Sequence, residues 1–443
     1  MDLFNVAVVG GGPAGVMAAI GAKQASPDLS VCIVDPCIAR RHRIGEALLT
    51  GTIMTFAEAG IVDSIAAAGY HLKVGAAYVW GETREPWYVE YPPIQDGSYP
   101  ACFTHASGRY AIHVPRDVFD PHLRREAERR GVVFIRDTVA SVGVSDSASG
   151  PIVTGLMTSG GRKIAASRYV DATGHGALFS RRLTKRVPVG QARIARYAYT
   201  ADVNWELAKR HGFDIHRTNI ISNANGWFWV IHLGTVSGGL TSVGFVSTPD
   251  VIAKIDLDNC TDCFPELAWF GFGSGYLAPR TFDGHVADRL YAHPDYGFAC
   301  EHLDGQNWSL AGDAAMFIDP ILSQGVTLAV HYGYLRGKAA AAEIEGASPQ
   351  QRYVTEHYRR EGAILRQVVG EWYENNRSAG DWRMRSVMIS RDEYGREMDE
   401  HLAFRWITNL ENLRHDYDPY PPEERRKVRR RLGIAQIGPG NCD

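Results

Sequence analysis

The sequence lacks the features that would tie a protein to a membrane or to nucleic acid. Its formal net charge is only −3, from 47 Lys and Arg against 50 Asp and Glu mixed along the chain, so no single-signed field for a polyanion or a lipid surface is expected. No apolar run approaches the roughly 20 residues that span a bilayer. "MDLFNVAVVGGGPAG" leads straight into a strand and a glycine turn without a signal segment, so a cytoplasmic location is expected. Cysteine is sparse: seven residues, an odd number without framework spacing, read as reduced thiols. The lone C-x-x-C, Cys260 and Cys263, has no second ligand pair at suitable spacing, so no metal is expected. Internal repeats and low-complexity blocks are absent. One basic run, "RRKVRRR" at Arg425 to Arg431, reads as a solvated helix face. A chain of 443 residues is long for one core and suits two interleaved domains.

What is present begins at the N-terminus. In "NVAVVGGGPAGVMAAIGAK" an apolar strand, Val6 to Val9, runs into Gly10, Gly12 and Gly15 and then into an alanine-rich helix. G-x-G-x-x-G alone is a weak signal, but here it has strand before and helix after. Gly10 suits the tight turn, Gly12 lets the backbone approach a pyrophosphate at the helix N-terminus, and Gly15 permits close helix–strand packing. A second strand, "SVCIVD", ends at Asp35, about 20 residues on, where a carboxylate accepts a ribose hydroxyl. Two later stretches, "YVDATGHG" at Tyr169 to Gly176 and "WSLAGDAAMFIDPILSQGVTLAV" with Gly312 and Asp313, are strands ending in small-residue turns, a form that admits a second length of a long cofactor.

These three elements in this order resemble the FAD-binding framework of the aromatic hydroxylase superfamily, in which the late Gly-Asp pair contacts the ribityl and pyrophosphate region. Four further stretches narrow the resemblance to flavin-dependent halogenases, especially the branch acting on pyrroles and phenols. "RHRIGEALL", with Arg41, Gly45 and Glu46, resembles the R-x-x-x-G-E-S-L segment near the flavin. "HLKVGAAYVWG" puts Lys73 where that family has a catalytic lysine. "NGWFWVIHL" resembles its W-x-W-x-I-P strand, and "FIDPILSQG" its F-x-x-P-x-x-S-x-G turn, with Phe317, Pro320, Ser323 and Gly325. Arg116, in "VPRDVFDPHLRREA", matches an arginine that precedes a helix and lies by the cofactor.

The resemblance implies FAD, supplied in reduced form by a separate flavin reductase because no second G-x-G-x-x-G is present for NADPH. It implies oxygen and a flavin hydroperoxide, with chloride or bromide as the further reactant. Trp227 and Trp229, two apart and on one face of a strand, would keep the flavin from hydroxylating the acceptor directly, while Lys73 would pass on the halogenating species. The expected acceptor is an electron-rich aromatic ring, free or bound to a carrier or peptide, with no nucleic acid or membrane partner. Three departures keep hydroxylation, including that of a peptidyl or protein-bound tryptophan in cofactor maturation, beside halogenation. His232 stands where the family has proline, a titratable group at a candidate catalytic position. Leu322 replaces the glutamate of the tryptophan-specific members. Gln324 occupies a place often held by a small hydroxyl residue, at a turn where the amides of Gln324 and Gly325 would hold halide. A non-catalytic flavoprotein is the third possibility.

The expected fold is α/β: a Rossmann-like FAD-binding domain from residues 1–70, 108–185 and 285–345, an interleaved sheet-rich substrate domain from 71–107 and 186–284, and a helical C-terminal region, 346–443.

Overall fold

The computed structural model describes residues 1–36, 43–81, 84–91, 99–106, 108–255, 264–272, 290–295, 297–347, 349–375, 379–395 and 397–413. Arg41, Cys260, Cys263 and the basic run lie outside the described residues.

The apolar N-terminal strand, Asp2–Val9, sits at the centre of the first sheet, parallel to Val31–Val34 on one side and to Lys163–Asp171 on the other. Val133–Ile135 extends the parallel set beyond Val31–Val34. Trp308–Leu310 lies parallel beside Tyr169 to Asp171, and Ile152–Thr158 and Val139–Ser145 continue the sheet antiparallel. Val6 to Val9 are buried, as a parallel strand covered on both faces requires. One cover is a pair of helices, Pro13–Ala25 and Gly325–Ile344. Their contact is made of backbone and small side chains, since a Cβ on Gly337 would lie 1.8 Å from the carbonyl oxygen of Ala18. Sequence-distant segments are thereby joined, so the first glycine turn and the Gly312 turn open on the same side.

The second sheet runs in the order Tyr291–Asp295, Arg193–Thr200, Thr241–Ser247, Gly226–His232, Arg217–Asn223, Gly75–Val79, Trp87–Glu90. Its pairings are antiparallel except the parallel one between Arg217–Asn223 and Gly75–Val79. The period of two puts Trp227, Trp229 and Ile231 on the face toward the first sheet, while Phe228 and Val230 pack with Phe245 and Phe264 in a separate core behind it. Three C-terminal helices, Gln351–Asn375, Ala379–Tyr394 and Glu400–Thr408, close one flank. Trp372 anchors them: its ring stacks on Trp382 at 4.6 Å and meets Tyr78 and Trp80 at 5.5 and 5.6 Å. The chain is therefore α/β, with a Rossmann-like sheet, a second, mostly antiparallel sheet and C-terminal helices. Among the described residues no helix is long and apolar enough to cross a membrane.

Candidate active site

A cavity of about 670 Å³ runs between the two sheets, from Asp35 past the glycine turn to Trp229 and Ser323. At one end the backbone is forced into close approach. Gly10 has φ +101°, and a Cβ on Gly15 would stand 1.9 Å from the Gly10 carbonyl oxygen. The helix Pro13–Ala25 therefore starts hard against the strand with its N-terminus, free of acidic residues in the first turn, open to the cavity. Those amides suit a pyrophosphate. Asp35 accepts a 2.7 Å hydrogen bond from the Gly11 amide, and Arg124 lies 3.4 Å from its other oxygen while donating to the Gly11 carbonyl at 2.9 Å. The sequence reading missed Arg124. Its only sequence signal is its place in "PHLRREA", eight residues beyond Arg116.

Arg116 is buried, and its guanidinium forms a two-point pair with Asp120 at 2.7 and 3.1 Å. Its Nη1 donates to the carbonyl of Ile44 at 2.9 Å, so the arginine fastens the segment carrying Gly45 and Glu46 to the cavity wall. Glu46 is 3 % exposed, and burial pushes its carboxyl up to about 7 against hydrogen bonds from Ser242 and Tyr199 and the charge of Arg116. Gly312, at φ +61°, turns the chain out of Trp308–Leu310 and presents Asp313. Burial raises Asp313 to about 6, opposed by His293, Arg116 and Arg43. Because 36 % of its side chain remains accessible, the enclosure is that of a cavity wall rather than packed protein. His175, 3.6 Å from Asp313, and His293 share that wall and were not foreseen.

The opposite wall is aromatic. Trp227 and Trp229 are 2 % and 5 % exposed, with ring centroids 5.8 Å apart. The Trp229 Nε1 donates to Ser242 Oγ at 3.0 Å, and the Trp227 Nε1 to the Tyr373 hydroxyl at 2.6 Å. Tyr373 in turn reaches both oxygens of Asp319 at 3.0 Å, and Arg193 lies over its ring at 3.3 Å. Tyr373 comes from a helix far from any recognised motif. Pro320 opens a short 3-10 turn that ends at Ser323, a non-glycine residue at φ +57°. That left-handed conformation is uncommon and strained outside glycine, and such residues gather where a ligand is gripped. Pro320, Ser323 and Gly325 line the cavity.

Three expectations need correction or restriction. His232 lies on the opposite face of its strand from the two tryptophans and is not on the cavity wall. Its Nδ1 pairs with Thr241 Oγ1 at 3.2 Å, its ring meets His71 edge-on at 4.8 Å, and burial holds it down to about 4. That parity turns its ring away from this cavity. The Gln324 side chain also faces away, its amide 3.4 Å from the carbonyls of Ile407 and Thr408, so only its backbone is available to a ligand. Lys73 is 1 % exposed on the strand His71–Lys73, paired with Ala111–His113, and burial alone brings its amine down to about 7. It does not line the cavity wall but stands behind it. Burial first and then the Lys73 charge disfavour protonation of the neighbouring His113, whose Nε2 lies 3.1 Å from Oγ1 of the wall residue Thr218.

Comparison with known proteins fits this geometry. The FAD dependent oxidoreductase family profile matches residues 5–182, and the tryptophan halogenase profile matches residues 99–400. A flavin-dependent halogenase of Armillaria mellea is 28 % identical over 365 residues, 77 % of this chain, which spans 65 % of that relative's length. The 1H-pyrrole-2-carbonyl-[peptidyl-carrier protein] chlorinase of Pseudomonas fluorescens is 24 % identical over 383 residues, covering 84 % of this chain and 82 % of its own. The solved structure of the myxobacterial chondrochloren halogenase superposes with a TM-score of 0.71 over 98 % of this chain and 97 % of its own at 24 % identity, a likeness of fold. With its profile covering more than half of the sequence on top of an FAD-type framework, the chain belongs to the flavin-dependent halogenase family.

Proposed function

We propose that the protein halogenates an electron-rich aromatic ring, using reduced FAD, oxygen and chloride or bromide. The observation that carries this is the pair of indoles on the strand Gly226–His232, each pinned by its own hydrogen bond and together forming an apolar wall of the cofactor cavity. A rigid aromatic wall keeps an acceptor ring off the cofactor and excludes water from the reacting centre.

FAD fits the residues present. The first-helix amides would hold its pyrophosphate, Asp35 its ribose, and the Gly312–Asp313 turn its middle, with the segment fastened by Arg116 lying across it. Bound there and reduced by electrons from a separate flavin reductase, FAD with oxygen supplies the oxidising equivalent. The amides of Gln324 and Gly325, at the start of the helix Gly325–Ile344, would hold the halide, where the helix dipole favours an anion. Lys73, with its amine near 7, exists at neutral pH both as a base and as a donor. As ammonium it can hold hypohalous acid by hydrogen bond. As free amine it can take up the halogen and release water, then pass the halogen to the ring in exchange for a ring proton. Pyrroles, phenols and carrier- or peptide-bound rings are the acceptors to screen.

Hydroxylation is the second reading, favoured by the position of Lys73 behind the cavity wall rather than on it. Turnover in halide-free buffer under isotopically labelled oxygen separates the two. Product should be absent until chloride or bromide is added. Labelled oxygen in the product without halide would replace halogenation with hydroxylation.

A further inference from the structure

A second and larger cavity, about 1020 Å³, adjoins the first across a shared wall of Trp227, Phe317 and Ile318. It lies at the far end of the sheet from Lys73. Trp80 and Gly81, which follow the strand Gly75–Val79, are on its wall, whereas Lys73 precedes that strand. A five-residue strand rises about 3.3 Å per residue, so the two ends are separated by more than a ring's reach.

The cavity's lining is specific. Rings of Trp80, Trp227, Phe317 and Tyr373 contribute to its walls. Among the described residues its charged groups are three arginines and two carboxylates. Arg84 pairs with Glu266, and Arg193 with Asp319 at 3.6 Å. Arg366 is half-buried, and burial lowers the pKa of its guanidinium. Its Nη1 is buried without a hydrogen-bond partner among the described residues. A desolvated, unpaired guanidinium is costly unless an anion completes it, and ring-lined walls favour a flat partner through stacking and cation–π contact.

We propose that this cavity binds a planar aromatic ring carrying a carboxylate or phosphate, with Arg366 receiving the anion and Trp227 lying between this ligand and FAD. A ring held here is out of reach of Lys73 and is therefore not the acceptor; a flavin phosphate fits the chemistry, since once reduced it hands two electrons and two protons to FAD and leaves as oxidised flavin. That use rests on the proposed function, but the binding site does not.

Calorimetric titration, on the chain with and without FAD, tests it with two matched pairs: 4-hydroxybenzoate against phenol, and riboflavin 5′-phosphate against riboflavin. The FAD-loaded protein should bind the anionic member of at least one pair about tenfold more tightly than its neutral partner, as one charge-assisted contact allows. Preference within the second pair assigns the site to a reductant, and preference within the first pair alone assigns it to an aromatic acid and removes the reductant use. Arg366→Gln should erase the preference. Gly370→Phe should block binding without disturbing the fold, because Gly370 is on a helix, lines the cavity, and a Cβ there meets nothing within 4 Å. Equal affinity for charged and neutral members, or unchanged binding in Gly370→Phe, overturns the assignment. Failure to take up FAD would instead overturn the proposed function, and the titration of the FAD-free chain would then decide this site alone.

Discussion

Replacing Lys73 with methionine should stabilise the protein while removing its product-forming step. The magnitude follows from burial. The amine is brought from 10.5 to about 7 by desolvation, and each unit is worth about 1.36 kcal/mol, so carrying the charge in the folded state costs at most about 5 kcal/mol. The sign is fixed by proton counting. Below pH 7 both states hold the proton, and the folded state bears the full cost. Between about 7 and 10.5 the unfolded chain binds more protons than the folded one, so stability rises with pH and the cost fades. At pH 9 about 2 kcal/mol remains. Methionine fills a similar volume without charge. Urea unfolding followed by tryptophan fluorescence should show Lys73→Met more stable than the parent by up to about 5 kcal/mol at pH 6 and by about 2 kcal/mol at pH 9. FAD binding should be unchanged and halogenated product lost. Equal stability at both pH values, or a less stable variant at pH 6, would refute the desolvated amine. Retained turnover would remove Lys73 from the chemistry.

Gly12→Val should keep the fold, because a Cβ there comes no closer than 3.7 Å to Arg43, yet lose FAD by blocking the pyrophosphate; flavin absorbance surviving gel filtration would contradict this. Gly244→Ala puts a methyl 2.1 Å from the Trp229 indole, so the ring must move at a cost of about 1–3 kcal/mol; thermal unfolding and the fluorescence of bound FAD should both change. His232→Ala should leave FAD affinity and turnover within about twofold of the parent, since the ring faces away from the cavity. A large fall in kcat would return it to the site.

The cofactor frame was legible because each of its signals is local. A strand, three glycines at fixed spacing and an acid at the next strand end describe one strand–turn–helix–strand unit, and the backbone geometry at Gly10 and Gly15 admits little else. The turns that place Asp313 and Ser323 on the cavity wall were legible for the same reason, each being a local pattern. Arg124, Tyr373, His175 and His293 were not. Tyr373 and His293 come from elements with no motif of their own, whereas Arg124 and His175 lie inside recognised stretches whose patterns do not specify those positions. Tyr373 is 146 residues from the indole it holds, and no spacing rule spans that distance.

The direction of His232 was missed for a different reason, although the strand itself carried it. Departure from a family pattern drew attention to the residue type, whereas alternation along a strand already assigns its side. If Trp227 and Trp229 share a face, residue 232 belongs to the other. The same parity accounts for what replaces proline there. A strand end whose far face packs on His71 and Trp205 needs a ring with a polar edge, which Thr241 satisfies. Gln324 shows the complementary limit. Its position in the turn fixed where its backbone amide would lie, but its side chain is directed by the helix Glu400–Thr408, which approaches from the other end of the chain. Sequence spacing thus constrains the backbone at a turn more tightly than the direction of a side chain, and an anion site built from amides is more readable than one built from side chains.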